Sequence, residues 1–335
     1  MVSVRHVRMA ARFAAHRLRS LHPYEVQALL LNACNLRCSY CRCPEMRIPT
    51  MDTARWRSIL ARLGELGTLR IKFQGGEPTL RPDFVELCAA AREAGILAAV
   101  VTNGMRVAED PSLLDELDEC VVSIDSLEAA THESARGPGS HAPALAALET
   151  AVARGLRTYA VMVVRRDNLE HIGPLLDWCE ARGIGLHAQP VIFGLHYTDE
   201  AARPDLGLDD GQVRELHRRL AAWKRAGRPL MFSSAAYENV LAWPDFSVQS
   251  TRCEGTSTCM AGRSYVHIEA NGDVWPCQQH SADFTPKNIV TDGLDAALTH
   301  VRRHDCGDCF AAYLNERKML FGLRPRAVWE LVRRG

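Results

Sequence analysis

Four cysteines, Cys34, Cys38, Cys41 and Cys43, fall within the stretch LNACNLRCSYCRCPEM. Thiolates crowded into one loop are normally neutralised by a metal, and two chemistries suit them. A closed zinc site takes four ligands, with Cys43 as the fourth. An iron-sulfur cubane takes up to four thiolates but can be held by three, leaving one iron open to a substrate or cofactor. The spacing C-x3-C-x2-C does not decide between them. A second group, Cys253, Cys259, Cys277, Cys306 and Cys309, lies in the C-terminal third. Asn271-Gly272 is a hairpin signal between two apolar strands, and that hairpin would present Cys259 and Cys277 together at its open end. The pair Cys306 and Cys309 would return from a later helix start to complete four ligands, for zinc or for a cluster.

These side chains need a scaffold. Six apolar or β-branched runs, at 26–31, 69–73, 97–101, 121–124, 158–164 and 186–191, alternate with helical patterns such as 53–66 and 82–94. Strand-helix units in series predict an α/β fold, a parallel sheet with helices outside it. Ligands in such folds sit at the carboxyl ends of the strands. Cys34, Gly75, Gly76, Glu77, Asn103, Ser123 and Asp125 all fall at or just beyond a predicted strand end. Gln74, Arg165, His187, Gln189, His196 and Tyr197 do so too and are candidates to bind a polar substrate, while His267 and His280 could support the hairpin's metal site. After about residue 200 the pattern changes: 209–227 reads as one amphipathic helix, and the remainder is loop-rich with short strands such as 264–269. The chain thus divides into a basic amphipathic helix at 1–24, a strand-helix domain at 25–205, and a linker helix with a cysteine-bearing domain and C-terminal helix at 206–335.

Gln74-Gly75-Gly76-Glu77-Pro78 closes the second predicted strand, where two glycines bring bare backbone to the barrel mouth. Joined to C-x3-C-x2-C after the first strand, it resembles the radical S-adenosylmethionine (radical SAM) superfamily over residues 25 to about 200. The resemblance implies a partial (β/α)6 barrel. It implies that Cys34, Cys38 and Cys41 hold a 4Fe-4S cluster whose open iron binds the amino and carboxylate groups of SAM, with Cys43 a bystander. Tyr40 would lie near the adenine, and Gly75, Gly76 and Glu77 would receive the methionine amino group. Ser123, Asp125 and Asn103 would contact the ribose or methionyl part, and Arg136 the carboxylate. One electron would split SAM into methionine and a 5'-deoxyadenosyl radical that removes hydrogen from carbon, chemistry suited to a closed barrel that excludes water. The second cysteine set resembles the twitch domain, the shortened relative of the SPASM domain. That implies an auxiliary 4Fe-4S cluster on Cys259, Cys277, Cys306 and Cys309. Cys253 is then surplus: a hydrogen donor to a substrate radical, or a small buried side chain of the kind expected for Cys88, Cys120 and Cys179.

Forty basic residues balance forty acidic ones in this chain of 335, which leaves no electrostatic footprint for nucleic acid. Twelve cysteines with no visible secretory signal suit a reducing compartment, the cytoplasm. Arg12, His16 and Arg17 interrupt the first apolar stretch, so residues 1–22 read as a helix docked on the protein, with peripheral membrane contact as the alternative. The function expected is hydrogen abstraction from a small polar metabolite, of sugar, aminocyclitol or nucleoside type, in a biosynthetic pathway. Oxidation, epimerisation, elimination or decarboxylation would follow, with flavodoxin or ferredoxin as reductant. A peptide or protein maturase comes second, because only 33 residues precede Cys34 and leave little room for a leader-recognition domain. A lipid or polyprenyl substrate comes third. Outside enzymes, the alternative is a structural zinc or electron-relay protein.

Overall fold

The computed structural model describes residues 22–193, 197–248, 250–252, 259–278, 284–304 and 306–333. Six strands alternate with helices as the sequence predicts: β1 (Glu25–Leu29), β2 (Arg70–Gln74), β3 (Leu97–Thr102), β4 (Glu119–Ser123), β5 (Arg157–Val164) and β6 (Gly185–Pro190). Each pairs in parallel with the next. Five shorter strands follow: β7 (Ser250–Arg252), β8 (Tyr265–Ile268), β9 (Asp273–Trp275), β10 (Lys287–Asn288) and β11 (Cys306–Cys309). The large sheet runs β10-β9-β8-β1-β2-β3-β4-β5-β6, so the predicted hairpin, β8 and β9, extends the barrel sheet instead of standing apart from it. β8 lies parallel to β1, with Glu25 opposite Tyr265. Cys306 and Cys309, expected at a helix start, sit on β11, which pairs antiparallel with β7. The helix Ala312–Phe321 begins after them. The reason is local: two cysteines flanking Gly307 and Asp308 make a poor first helical turn, and the open edge of β7 offers backbone partners.

Alternation along each strand sorts the side chains into two faces. Val26, Ala28, Ile71, Phe73, Val100, Val122, Met162 and Leu186 point outward and are fully buried under the helices. The helix Thr53–Glu65, capped by Asp52 accepting from Arg55 N at 2.8 Å, supplies Trp56 and Leu60. The helix Phe84–Glu93 supplies Phe84 and Leu87, and Phe84 meets Phe73 edge-on with ring centroids 6.2 Å apart. Each such side chain contributes about 1.5–3 kcal/mol on burial, so this outer layer carries the stability. Cys88, Cys120 and Cys179 are buried in it.

The inner face is polar. Glu25, Gln27, Arg70, Lys72, Gln74, Glu119, Ser123, His187 and Gln189 alternate with the outward residues and line the lumen. Arg70 pairs with Glu25 at 3.4 Å and with Glu119. Arg317 reaches Glu25 at 2.6 Å and lies 4.3 Å over the ring of Tyr265. Burial alone would raise the carboxyl of Glu25, but Arg317 and Arg70 outweigh it and hold its pKa at about 2. Among the described residues no helix is long and apolar enough to cross a membrane. The basic segment proposed as a surface helix lies, up to residue 21, outside the described residues.

Candidate active site

Beyond Leu29 the chain crosses the barrel mouth as the cysteine loop. The pairing of β1 with β2 continues past both strand ends: Leu30 N donates to Gln74 O at 2.8 Å, Gly76 N to Leu31 O at 2.8 Å, and Glu77 N to Ala33 O at 2.9 Å. A Cβ on Gly75 would collide with the Leu31 carbonyl oxygen, and one on Gly76 with those of Asn32 and Ala33. Close backbone approach is therefore the reason for the double glycine. Buried Glu77 accepts from Thr79 N, Thr79 Oγ1 and Thr102 Oγ1 at 3.2, 2.6 and 2.8 Å, and from Asn103 N at 2.8 Å. Its carboxylate ties the end of β2 to the end of β3. Asn103 extends the tie by donating from Nδ2 to Asn35 Oδ1 at 2.7 Å, next to Cys34.

Asp125, just past β4, is fully enclosed. Oδ2 accepts from Arg136 Nε at 2.8 Å and Arg165 Nη1 at 2.9 Å; Oδ1 accepts from Arg136 Nη2 and Val163 N, both at 3.0 Å. From the cysteine loop, Tyr40 donates its hydroxyl to Oδ2 at 3.4 Å, and the Arg136 guanidinium lies 5.8 Å from the Tyr40 ring centre. Burial would raise the Asp125 carboxyl, but the guanidinium groups of Arg136 and Arg165 more than offset it. Asp125 thus ties Tyr40 of the cysteine loop to Arg136, and Arg136 meets Asp125 through two nitrogens. Arg165, expected among the substrate candidates, is fully buried and ends on Asp125, Asp167 and the Thr131 carbonyl. A carboxylate closed off at a strand end must be paired, and it recruits the nearest arginines.

The thiol of Cys41 feels the charges of Cys38 and Cys34, and that of Cys34 feels Cys38. Burial is the main cause raising all three; Glu77 and Cys38 add to it at Cys34, Asp125 at Cys38, and the two other thiols at Cys41, which reaches about 11. Such thiols ionise readily only with a metal to receive them, and three on one loop, none in a disulfide, fit the donor set of an iron-sulfur cluster. Among the described residues no three Cys, His, Asp or Glu side chains converge on the point a single metal ion would occupy. Cys43 is buried in the short turn Cys43–Glu45 with Asn32 Nδ2 at 3.5 Å from its sulfur, and its thiol, raised mainly by burial, also feels Cys41 and Cys34.

The segment after β6 braces this loop. Arg42 N donates to Tyr197 O at 2.9 Å, Asp199 N to Tyr40 O at 3.1 Å, and Cys41 bridges to Thr198. Burial raises the Tyr197 phenol, and the charges of Cys277, Glu269, Cys41 and Cys43 add to it, so Tyr197 lies near both cysteine sets. In the second set, Cys259 precedes β8 and Cys277 follows β9, at the open end of a hairpin whose turn carries Gly272 at φ +95. Cys306 feels Cys259, Cys309 and Cys277 together, and its hydrogen bond to Cys259 lowers that thiol. Cys253, His196 and His280 lie outside the described residues.

Gln74 donates to Gln27 Oε1 at 3.3 Å inside the lumen, where Ser123, His187 and Gln189 also face. Sequence reasoning missed Lys72, Arg317 and His304, the last a buried imidazole acting on Cys259. The alternation of Arg70, Lys72 and Gln74 along one strand was the available signal for the first.

A cysteine loop at the end of the first parallel strand, clamped by a double glycine at the end of the second, defines a class. The chain belongs to the radical SAM superfamily, which its residues 29–179 match, and membership implies a 4Fe-4S cluster and SAM. It is 30% identical over 307 residues to the PqqA peptide cyclase of Methylobacterium nodulans, covering 87% of this chain and 75% of that one. To the PqqA peptide cyclase of Gluconobacter oxydans it is 28% identical over 293 residues, covering 83% and 76%. Its fold matches that of Streptococcus suis SuiB, a structure with S-adenosylmethionine bound, with a TM-score of 0.64 at 19% identity over 89% of this chain and 72% of SuiB. The small polar metabolite expected as substrate and partner is overturned by these relatives, which are named for a peptide. The reason is plain: the motifs that carried the sequence reading describe the handling of SAM and say nothing of what lies beneath it.

Proposed function

We propose that the protein is a radical SAM peptide maturase, an enzyme that modifies carbon centres within a peptide. The carrying observation is the 30% identity to a PqqA peptide cyclase over most of both chains. Cys34, Cys38 and Cys41 would hold the SAM cluster, and the backbone of Gly75 and Gly76 would form the shelf beside it. Asp125 keeps Tyr40 and Arg136 in place next to that loop. When bound, the cluster and SAM supply a 5'-deoxyadenosyl radical that removes hydrogen from carbon. The chain's own contribution is a sheet backed by helices around the site and a polar lumen that orients a hydrogen-bonding substrate.

Cys259, Cys277, Cys306 and Cys309 would hold an auxiliary cluster of twitch type, which their mutual approach supports. A flavodoxin or ferredoxin would deliver the electron. A cytoplasmic setting is supported by eleven described cysteines free of disulfides. The test is anaerobic reconstitution. Two clusters predict about eight irons per chain, dithionite-dependent 5'-deoxyadenosine, and a loss of hydrogen mass in a short peptide encoded beside its gene. SAM cleavage with no change in any such peptide would sink the reading.

A further inference from the structure

Three polar side chains in the C-terminal third are enclosed without a partner. The hydroxyl groups of Tyr265 and Tyr313 and both ring nitrogens of His304 make no hydrogen bond among the described residues, although the three side chains are only 0%, 7% and 7% exposed. An unmet buried hydroxyl costs about 1–3 kcal/mol. Phenylalanine would fill the same ring space without that cost, so packing alone does not explain two tyrosines.

Backbone contacts set all three beside the second group of cysteines. Gly262, three residues after Cys259, donates its N–H to Tyr265 O at 2.7 Å and to Pro276 O, just before Cys277, at 3.2 Å. The hairpin register puts His267 opposite Trp275, and two residues nearer the open end it brings Tyr265 opposite Cys277. Opposed residues on antiparallel strands share a face, with Cβ atoms about 5 Å apart. A Cβ on Gly262 would come within 2.9 Å of His304 Nδ1, so the imidazole lies on the turn that follows Cys259. Tyr313 stands four residues after Cys309, in a helix whose Asn315 donates to Cys309 O at 2.9 Å. The guanidinium of Arg317 lies 4.3 Å from the Tyr265 ring centre and 5.7 Å from that of Tyr313, so the two phenols flank one place. Arg317 has no acceptor to offer either hydroxyl. Burial is the main cause raising both phenols, and the charge of Cys277 adds at each.

We propose that Tyr265, Tyr313 and His304 donate hydrogen bonds to the sulfur atoms of the auxiliary iron-sulfur cluster and raise its reduction potential. Buried donors of this kind call for acceptors, and a cubane offers its sulfides as well as the cysteine sulfurs. Hydrogen bonds to those sulfurs favour the reduced cluster, which carries one more negative charge. The cysteines hold the cluster, and these three groups tune it.

This inference rests on the reading of an auxiliary cluster, and the test separates the two. The full-length chain carrying Cys34→Ala, Cys38→Ala and Cys41→Ala together isolates that cluster after anaerobic reconstitution. Its midpoint potential is read by electron paramagnetic resonance during a dye-mediated redox titration, and its exchangeable protons by electron-nuclear double resonance in H2O and D2O. The parent should bind about four irons and show exchangeable protons coupled to the reduced cluster. Tyr265→Phe and Tyr313→Phe, added singly, should keep the iron and each lose one such coupling. Each should also lower the reduced-to-oxidised ratio at a fixed potential about tenfold, a midpoint about 59 mV more negative. His304→Leu should move the midpoint in the same direction. Unchanged midpoints and couplings in both tyrosine variants overturn the hydrogen bonds while the auxiliary cluster stands. A parent cluster without exchangeable couplings does the same, even where a variant fails to hold iron. A parent that takes up zinc or no metal in place of iron overturns both.

Discussion

Asp125 concentrates more of the site than any single cysteine does. One enclosed carboxylate fixes two guanidinium groups, a tyrosine of the cysteine loop and the backbone of β5. Replacing it with alanine leaves buried Arg136 without its carboxylate and Arg165 with Asp167 alone, at a cost of about 3–5 kcal/mol. The expected outcome for Asp125→Ala is a matching drop in the denaturant midpoint together with lost SAM cleavage. Retention of both would show that the arginines find other partners. Gly76→Ala tests the opposite kind of residue, one that works by having no side chain. Its methyl group would meet the carbonyl oxygens of Asn32 and Ala33 and push the cysteine loop outward. The variant should keep its helical circular dichroism and lose most of its iron on reconstitution.

At the level of elements, the cysteine loop is clamped from three sides: by β2 through Gly76 and Glu77, by β3 through Asn103, and by the segment 197–199. Cys43 stands outside that clamp, so Cys43→Ala is expected to keep the SAM cluster's electron paramagnetic resonance signal, and Cys34→Ala to abolish it. Loss of the signal in Cys43→Ala would mean that the four cysteines divide differently. The six barrel strands were legible to within two residues, because β-branched runs and helical periodicity repeat with little interference. The place of β8 in the sheet was not, since pairing between distant strands leaves no local trace. The same limit hid the contact of 197–199 with the cysteine loop. It also hid the pairing of Arg165 and Arg136 with Asp125, where three charged residues at strand and helix ends read as three open groups.

At the scale of the molecule, three imidazoles among the described residues are pushed far down, with burial the main cause: His187 to about 3, His132 to about 4 and His217 to about 4. Unfolding returns each to an ordinary pKa near 6.5, so below that pH the unfolded chain binds more protons than the native one. Their effect is absent above about pH 6.5, and stability falls as pH drops from there toward 4, by up to about 1.4 kcal/mol per pH unit for each group. Urea unfolding of the metal-free protein between pH 7 and 4.5 should show this slope, shallower in His217→Leu. A flat profile would mean that these rings are reached by water.

The parallel pairing of β8 with β1 also fixes the order in which the molecule can be finished. The first of the described strands, β1, sits in the interior of the sheet, and its neighbour on one side is not made until residues 265–268. Until then the nascent barrel carries a bare edge, with Glu25 lacking Arg317. Contacts this distant in sequence close slowly, and open edges recruit other chains meanwhile. A gene truncated after residue 205 should therefore yield mainly inclusion bodies, and the intact chain should depend on chaperones that shield β1 until translation is nearly complete.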